Sequence, residues 1–312
     1  MMLLDLLMIT GGLVVLVLAG DALVKGAVNL SLRLGIPALI VGLTVVAFGT
    51  SAPELIVSIQ AVISGVPALA LGNVVGSNTA NILLVLGIPA LIAAIPVARN
   101  LTRDYAIMIA ASVLFIALAF TGEFGRWQAL VLLVGLVLML GDCYIRARRQ
   151  RVGALELEGA EEGMSGAKIA GFLLAGIVGL PLGAHFLVEG AVGVATVLGV
   201  SEAIIGLTLV AVGTSLPELA TTVAAAIRRE AGVALGNVIG SNVFNLLGII
   251  GVAGLVGPIP VPLDMLQIDL WVMLGASLLL GGFIWLRRDI GRVWGMVLLI
   301  LYAAYVVSLF YW

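Results

Sequence analysis

Three blocks of this chain recur at one fixed displacement. Residues 42–55, GLTVVAFGTSAPEL, match residues 206–219, GLTLVAVGTSLPEL. Residues 71–81, LGNVVGSNTAN, match 235–245, LGNVIGSNVFN, and LVKGAV at 23–28 matches LVEGAV at 187–192. From 42 to 206, 71 to 235 and 23 to 187 the displacement is always 164. An offset that holds across three separate blocks implies duplication of one unit. The fold is therefore expected to be two like halves that meet somewhere to do one job.

What each half is made of follows from its apolar runs. A helix needs roughly 20 apolar residues to cross a bilayer. Runs between charged or Pro/Gly-rich breaks predict ten spans, near 3–33, 37–64, 68–95, 103–121, 127–145, 167–198, 202–227, 233–256, 268–286 and 293–311. The chain is 62% hydrophobic and only 10% charged, more apolar surface than a soluble protein of 312 residues can hide. The expected fold is an all-α integral membrane protein, ten transmembrane helices in two inverted five-helix repeats. The repeats occupy 1–146 and 167–312, with a linker at 147–166. Five is odd, so the second unit enters the membrane the other way up, an arrangement many secondary transporters use. The first and sixth spans exceed what the bilayer requires and should tilt, bend or extend beyond it. The N-terminal run MMLLDLLMITGGLVVLVLAG lacks a basic leader region and reads as part of the first span.

Charge placement sorts the loops. Arg33, Arg99, Arg103, Arg146, Arg148, Arg149, Arg151, Lys168, Arg228, Arg229, Arg287, Arg288 and Arg292 fall on one side of this topology; Arg126 alone falls on the other, and Lys25 lies within the first span. The positive-inside rule then predicts a multi-pass protein of the cell (plasma or inner) membrane, both termini extracytoplasmic and the central loop cytoplasmic. That loop carries Glu156, Glu158, Glu161 and Glu162, which read as a solvated linker, since no spacing there matches an EF-hand. A net charge of −2 and the lack of any basic–aromatic cluster exclude a nucleic-acid partner. The single cysteine, Cys143, excludes a disulfide framework and a thiol metal cluster.

The repeated blocks carry the chemistry. Glu54 and Glu218 occupy equivalent positions somewhat past the middle of their spans, where a carboxylate costs at least about 2.5 kcal/mol. One such glutamate is commonly a helix-packing hydrogen bonder; two at equivalent positions in inverted repeats point to a shared cation. Gly49 and Pro53 interrupt the helical ladder, and freed carbonyls at that depth need a buried use. Ala47 (through its carbonyl), Thr50, Ser51 and Glu54 lie on one helix face, and Ala211, Thr214, Ser215 and Glu218 repeat them. In the partner blocks Ser77 and Asn81 are one turn apart, as are Ser241 and Asn245. The glycines Gly72, Gly76, Gly236 and Gly240 read as close-packing positions. All these donors are oxygens, which suits a hard cation, and two glutamates balance one Ca²⁺.

At these residues the sequence resembles the sodium/calcium exchanger family within the wider cation/calcium exchanger superfamily, in its prokaryotic form. GTSAPE and GTSLPE, each followed by GNxxGSN, are that family's paired signature, and the resemblance covers essentially the whole chain. It implies antiport by alternating access, with Ca²⁺ held between Glu54 and Glu218 helped by Thr50 and Thr214. It implies Na⁺ at overlapping positions formed by Ser51, Ser77, Ser215, Ser241 and the carbonyls of Ala47 and Ala211. The long first and sixth spans resemble the family's moving gate helices. No cofactor is implied beyond the transported Ca²⁺ and Na⁺, and a monomer should suffice. Family members often carry aspartate where this chain has Asn245, so one negative charge is lost and the driving ion, Na⁺ or H⁺, is left open.

Four charges are expected to lie off the site. Asp21 and Lys25 are four residues apart and can pair locally, or Lys25 can snorkel. Their mates by the offset, His185 and Glu189, should lie far from them along the membrane normal. The competing functions are a proton/calcium antiporter, against which the Ser and Asn ligands count, and a cation channel. An intramembrane enzyme is a weaker reading, for want of an HExxH pair or a serine–base arrangement; no enzymatic activity is expected.

Overall fold

In hydrocarbon every backbone group must be satisfied within the chain, and a helix does this residue by residue. The computed structural model describes residues 2–97, 101–149, 163–198 and 211–309. Arg99, Arg151, the linker glutamates and the first part of the 202–227 span lie outside them. Its helices are α1 (Met2–Leu34), α2 (Ala38–Thr50), α3 (Ala52–Ile63), α4 (Pro67–Leu83), α5 (Gly87–Ile92), α6 (Thr102–Ala119) and α7 (Arg126–Arg149). There follow α8 (Gly166–Val197), α9 (Ala211–Thr214), α10 (Leu216–Ile227), α11 (Ala231–Val243), α12 (Ile250–Val256), α13 (Leu270–Leu286) and α14 (Arg292–Ser308). Among the described residues seven helices are long and apolar enough to cross a membrane, or eight if the bent pair α2–α3 is one span. The apolar helices α10 and α14 are shorter.

Element bounds follow the offset. Ala52–Ile63 and Leu216–Ile227 start and end 164 residues apart, and Pro67 and Ala231 open the next helices at the same displacement. The halves also reach across to each other at equivalent places. Ile95 pairs in an antiparallel bridge with Ile290, and its mate Ile259 pairs with Phe124 in a two-stranded ladder, β1 (Glu123–Phe124) with β2 (Ile259–Pro260).

Burial separates an inner layer from an outer one. Of the most apolar stretch of each span, 72% is buried for Pro67–Ile92 and 83% for Ala231–Val256, against 17% for α1 and 22% for α8. The GNxxGSN blocks thus sit on the two most interior spans, while the long helices lie at the periphery. Gly236 and Gly240 permit this, since a Cβ would stand 2.7 Å from the Leu39 carbonyl oxygen at the first and 2.6 Å from that of Leu43 at the second. At Gly72 and Gly76 an added Cβ meets no described residue within 4 Å, so the close packing expected of all four glycines is seen at Gly236 and Gly240.

Helices α1 and α8 pack against each other along their lengths, antiparallel, through small residues. A Cβ on Gly12 would lie 2.5 Å from the Leu187 backbone nitrogen, one on Gly183 2.9 Å from that of Leu16, and one on Gly176 2.5 Å from the Leu23 Cβ. With no water to drive apolar association, close backbone approach is what holds such a pair. At another end of the molecule, Arg146 joins α7 to α6 by donating to Asp104 Oδ2 at 3.1 Å. Its Nε lies 2.9 Å from Asp142, which also pairs with Arg103.

The four off-site charges are placed as follows. Asp21 accepts from Arg228 Nε at 2.6 Å, tying α1 to α10, and Lys25 lies 5.1 Å over the Phe172 ring of α8. His185 and Glu189 pair with each other at 3.2 Å on the exposed side of α8. Neither reaches Lys25.

Two adjacent glycines test the α1–α8 contact. Gly12→Ala is expected to lower stability by about 1–3 kcal/mol through overpacking. Gly11→Ala, at an exposed position with nothing within 4 Å of the added carbon, should leave it unchanged or slightly raised. Thermal unfolding of both variants in detergent is the measurement.

Candidate cation site

The site begins with two matched helix breaks. Proline lacks an N–H, so Pro53 and Pro217 cannot donate to the carbonyls four residues earlier, Gly49 and Gly213, and the helix must restart. It restarts at the same angles in both halves: Ser51 has φ −85° and ψ 3°, Ser215 φ −86° and ψ 2°. Each proline stands in the first turn of the new helix, where a missing N–H costs nothing. In the first half the axis bends by 44° at Ser51. Glu54 and Glu218 follow within that first turn and are both completely buried. The first turn of a helix is the end at which a negative group is favoured.

The interior helices clamp these breaks. Asn73 donates Nδ2 to the Glu54 backbone carbonyl at 3.3 Å and to Ser58 Oγ at 3.1 Å. Asn237 does the same to the Glu218 carbonyl at 3.3 Å and Thr222 Oγ1 at 3.1 Å. Two pairs of bonds with the same lengths, 164 residues apart, fix each glutamate's backbone to its neighbour.

The halves then interlock. Thr50 donates its hydroxyl to Asn237 Oδ1 at 3.1 Å and lies 3.4 Å from Ser241 Oγ, while Ser51 donates to Glu218 Oε1 at 3.1 Å. Thr50, Ser51, Ser241 and Glu218 are thus brought together across the two halves. The Ala47 carbonyl accepts from Ser51 N at 3.0 Å, and Thr50 Oγ1, whose one proton goes to Asn237 Oδ1, lies 3.3 Å away. Ser77 is buried on α4 and Asn81 one turn on; Asn81 Nδ2 donates to Asn242 Oδ1 at 3.1 Å. Thr214 closes α9 and Ala211 opens it, next to α4 and α10. Asn245 is fully buried in the π-helical turn Phe244–Ile249, packed against α3.

Several buried polar atoms in this region have no protein partner among the described residues. They are both carboxylate oxygens of Glu54, Oε2 of Glu218, Oγ of Ser215, Oδ1 of Asn81 and both amide atoms of Asn245. A buried donor or acceptor left unmade costs about 1–3 kcal/mol, and more when charged. Apart from the Asn245 nitrogen these are oxygens, and three belong to the two glutamates, which have no basic partner among the contacts described. No group of three or more His, Cys, Asp or Glu forms a metal cluster among the described residues, so any ion here would be held by two carboxylates with neutral oxygens. That donor set suits Ca²⁺ or Na⁺ and not a soft metal.

The model of the family described as "Sodium/calcium exchanger protein" matches residues 4–141 and 168–311. The chain belongs to the sodium/calcium exchanger protein family. Among its relatives, the sodium/calcium exchanger MaX1 of Methanosarcina acetivorans is 36% identical over 96% of this chain and 97% of its own length. The inner membrane protein YrbG of Escherichia coli is 37% identical over 95% and 94%. A solved structure of the sodium-calcium exchanger NCX_Mj, soaked with zero Na⁺ and Ca²⁺, superposes with a TM-score of 0.86 at 32% identity, covering 99% of this chain and all of that one. Family membership makes this a multi-pass helical membrane protein of a transport family.

Six polar residues of the site were not singled out in the sequence. Asn73, Asn237, Asn78 and Asn242 stand in the repeated LGNxxGSN block, and their identity in both copies was the available signal. Ser58 and Thr222 differ in type and lie outside the matching blocks, so only the clamp geometry finds them. That clamp is measurable. A double-mutant cycle on Asn237→Ala and Thr222→Val is expected to give a coupling energy of about 0.6–1.7 kcal/mol in detergent unfolding, the range for interhelical hydrogen bonds in membranes.

Proposed function

We propose that this protein exchanges Na⁺ for Ca²⁺ across the cell membrane by alternating access, binding both at the seam around Glu54 and Glu218. The observation that carries the reading is the pair of fully buried glutamates, of whose four carboxylate oxygens three have no protein partner among the described residues. Two such charges side by side in an apolar bundle are tolerable only when something positive joins them. One Ca²⁺ neutralises both. Thr50, Thr214, Ser51, Ser215, Ser77, Ser241, Asn81 and Asn245, with the carbonyls of Ala47 and Ala211, complete an oxygen shell. Na⁺ would use overlapping members of the same shell, and competition for the shared carboxylates couples the two fluxes. MaX1 and NCX_Mj are each named sodium/calcium exchangers, which supports the assignment of ions.

The architecture that goes with this function is ten spans in two inverted repeats, both termini extracytoplasmic and the 147–166 linker cytoplasmic. Support comes from the matching element bounds, the matching breaks at Ser51 and Ser215, and the paired clamps by Asn73 and Asn237. In this reading α1 and α8, peripheral and packed on each other, form the moving pair. A monomer carries the whole site.

Protons are the second reading, because a proton also satisfies an unpartnered buried carboxylate. Reconstituted vesicles separate the two. Uptake of radiolabelled Ca²⁺ is expected to follow an outward Na⁺ gradient and to fall to background in Glu54→Gln and in Glu218→Gln. Uptake that follows a proton gradient and ignores Na⁺ would replace sodium as the driving ion. Full uptake in both Gln variants would remove the two glutamates from the site.

A further inference from the structure

Asn78 and Asn242 are mates by the offset, and each donates its side-chain amide to the other's backbone carbonyl, both at 3.3 Å. Each nitrogen also lies 3.8 Å from a methionine sulfur, Met273 for Asn78 and Met108 for Asn242. A carbonyl can only accept, so the nitrogen must be the end that faces it; the flipped amide would set oxygen against oxygen. Both amides are therefore held in one orientation. In Asn242 this presents the oxygen to its other side, where it takes the Asn81 nitrogen at 3.1 Å. Asn81 Oδ1 is left without a protein partner.

We propose that Asn242 is a positioning residue that turns the Asn81 amide oxygen-first toward the ion, and that Asn78 is the matching residue for Asn245. This rests on the reading of Asn81 and Asn245 as ion ligands. An amide oxygen is an ordinary ligand for a hard cation, whereas an amide nitrogen is a donor and repels one. An asparagine ligand that is free to flip presents the wrong end part of the time; one whose nitrogen is already bonded does not.

The second half of the proposal follows from the atoms left over. Asn78 Oδ1, Asn245 Nδ2 and Asn245 Oδ1 have no partner. A bond from Asn245 Nδ2 to Asn78 Oδ1, the mate of the bond from Asn81 to Asn242, is not made in this structure; formed, it would satisfy two of the three. The one remaining would be Asn245 Oδ1, which would give both asparagines a bonded nitrogen and a free oxygen. An amide at 245 thus matches its neighbour, whereas a carboxylate would bring a second oxygen against Asn78 Oδ1.

Calcium titration calorimetry on the purified full chain in detergent tests this with four proteins: unmodified, Asn242→Ala, Asn81→Asp and the double variant. Aspartate presents an oxygen whichever way it turns and needs no orienting neighbour. Asn242→Ala is expected to weaken Ca²⁺ binding about tenfold or more when Asn81 is present, the scale of lost outer-shell support. In the Asn81→Asp background the same change should cost about twofold or less. Equal losses in both backgrounds mean that Asn242 acts by packing, which overturns the proposal. Asn242→Leu, close in size, repeats the cycle if the alanine variant does not fold. Glu54→Gln is the control for the site itself. If the unmodified protein binds no Ca²⁺, or Glu54→Gln binds it as well, the ion-site reading falls and this proposal with it. If both behave as expected and the cycle is additive, only the positioning role falls.

Discussion

Everything in this structure is arranged around the cost of keeping two carboxylates inside an apolar bundle. Glu54 and Glu218 are fully buried, and among the described residues three of their four oxygens have no protein partner. A buried ion pair can compensate itself, but a pair of like charges cannot. Placing each at the first turn of a helix helps, since the aligned peptide dipoles put positive potential there. A first turn in the middle of a membrane span requires that the span be broken. The breaks at Ser51 and Ser215 are thus the means by which a glutamate is given a helix N-terminus at that depth.

A broken helix has to be held by its neighbours, and the interior spans do this with amides. Asn73 and Asn237 bond to the glutamates' own backbone carbonyls, so the orientation of each break is fixed from the adjoining helix. Gly236 and Gly240 bring α11 against the backbone at Leu39 and Leu43, near enough for side chains as short as serine, threonine and asparagine to meet across the contact. Small residues and polar residues therefore belong to one arrangement: the first set the distance, and the second use it. The outer pair α1–α8 is built differently, by backbone approach at Gly12, Gly176 and Gly183, with one ion pair to α10 through Asp21 and Arg228.

Much of this was legible in the residues because the chain states it twice. The displacement of 164 located the breaks, the glutamates and the serine–asparagine blocks before any geometry was known, and the helix bounds keep the same displacement. Duplication shows which residues matter and not how they divide the work. Asn81 and Asn245, the asparagines expected as ligands, stand in the same blocks as Asn73, Asn78, Asn237 and Asn242. Helical spacing puts Asn78 and Asn81, three residues apart, on one face, so periodicity cannot say which meets an ion and which meets another amide. The partner of Asp21 was not legible either. Arg228 lies 207 residues away, and local pairing with Lys25 is the simplest pattern a one-dimensional reading offers.

The two halves, though matched in sequence, do not make matched contacts at the site. Ser51 donates to Glu218, while Ser215 Oγ and both oxygens of Glu54 have no partner; Asn81 bonds to Asn242, while Asn245 and Asn78 Oδ1 do not pair. The scaffold around these groups is symmetric to the tenth of an ångström in its Asn73 and Asn237 clamps and in the Asn78–Asn242 exchange. Among the contacts of the described residues, asymmetry therefore shows in the side chains around the glutamates. A rigid symmetric frame enclosing unequal polar contacts has two equivalent ways of being unequal. Exchanging the roles of Ser51 and Ser215 about Glu218 and Glu54 yields the second from the first, without breaking a bond of the frame. The difference between the two arrangements then rests on a few hydroxyl and amide contacts, each worth on the order of 1 kcal/mol.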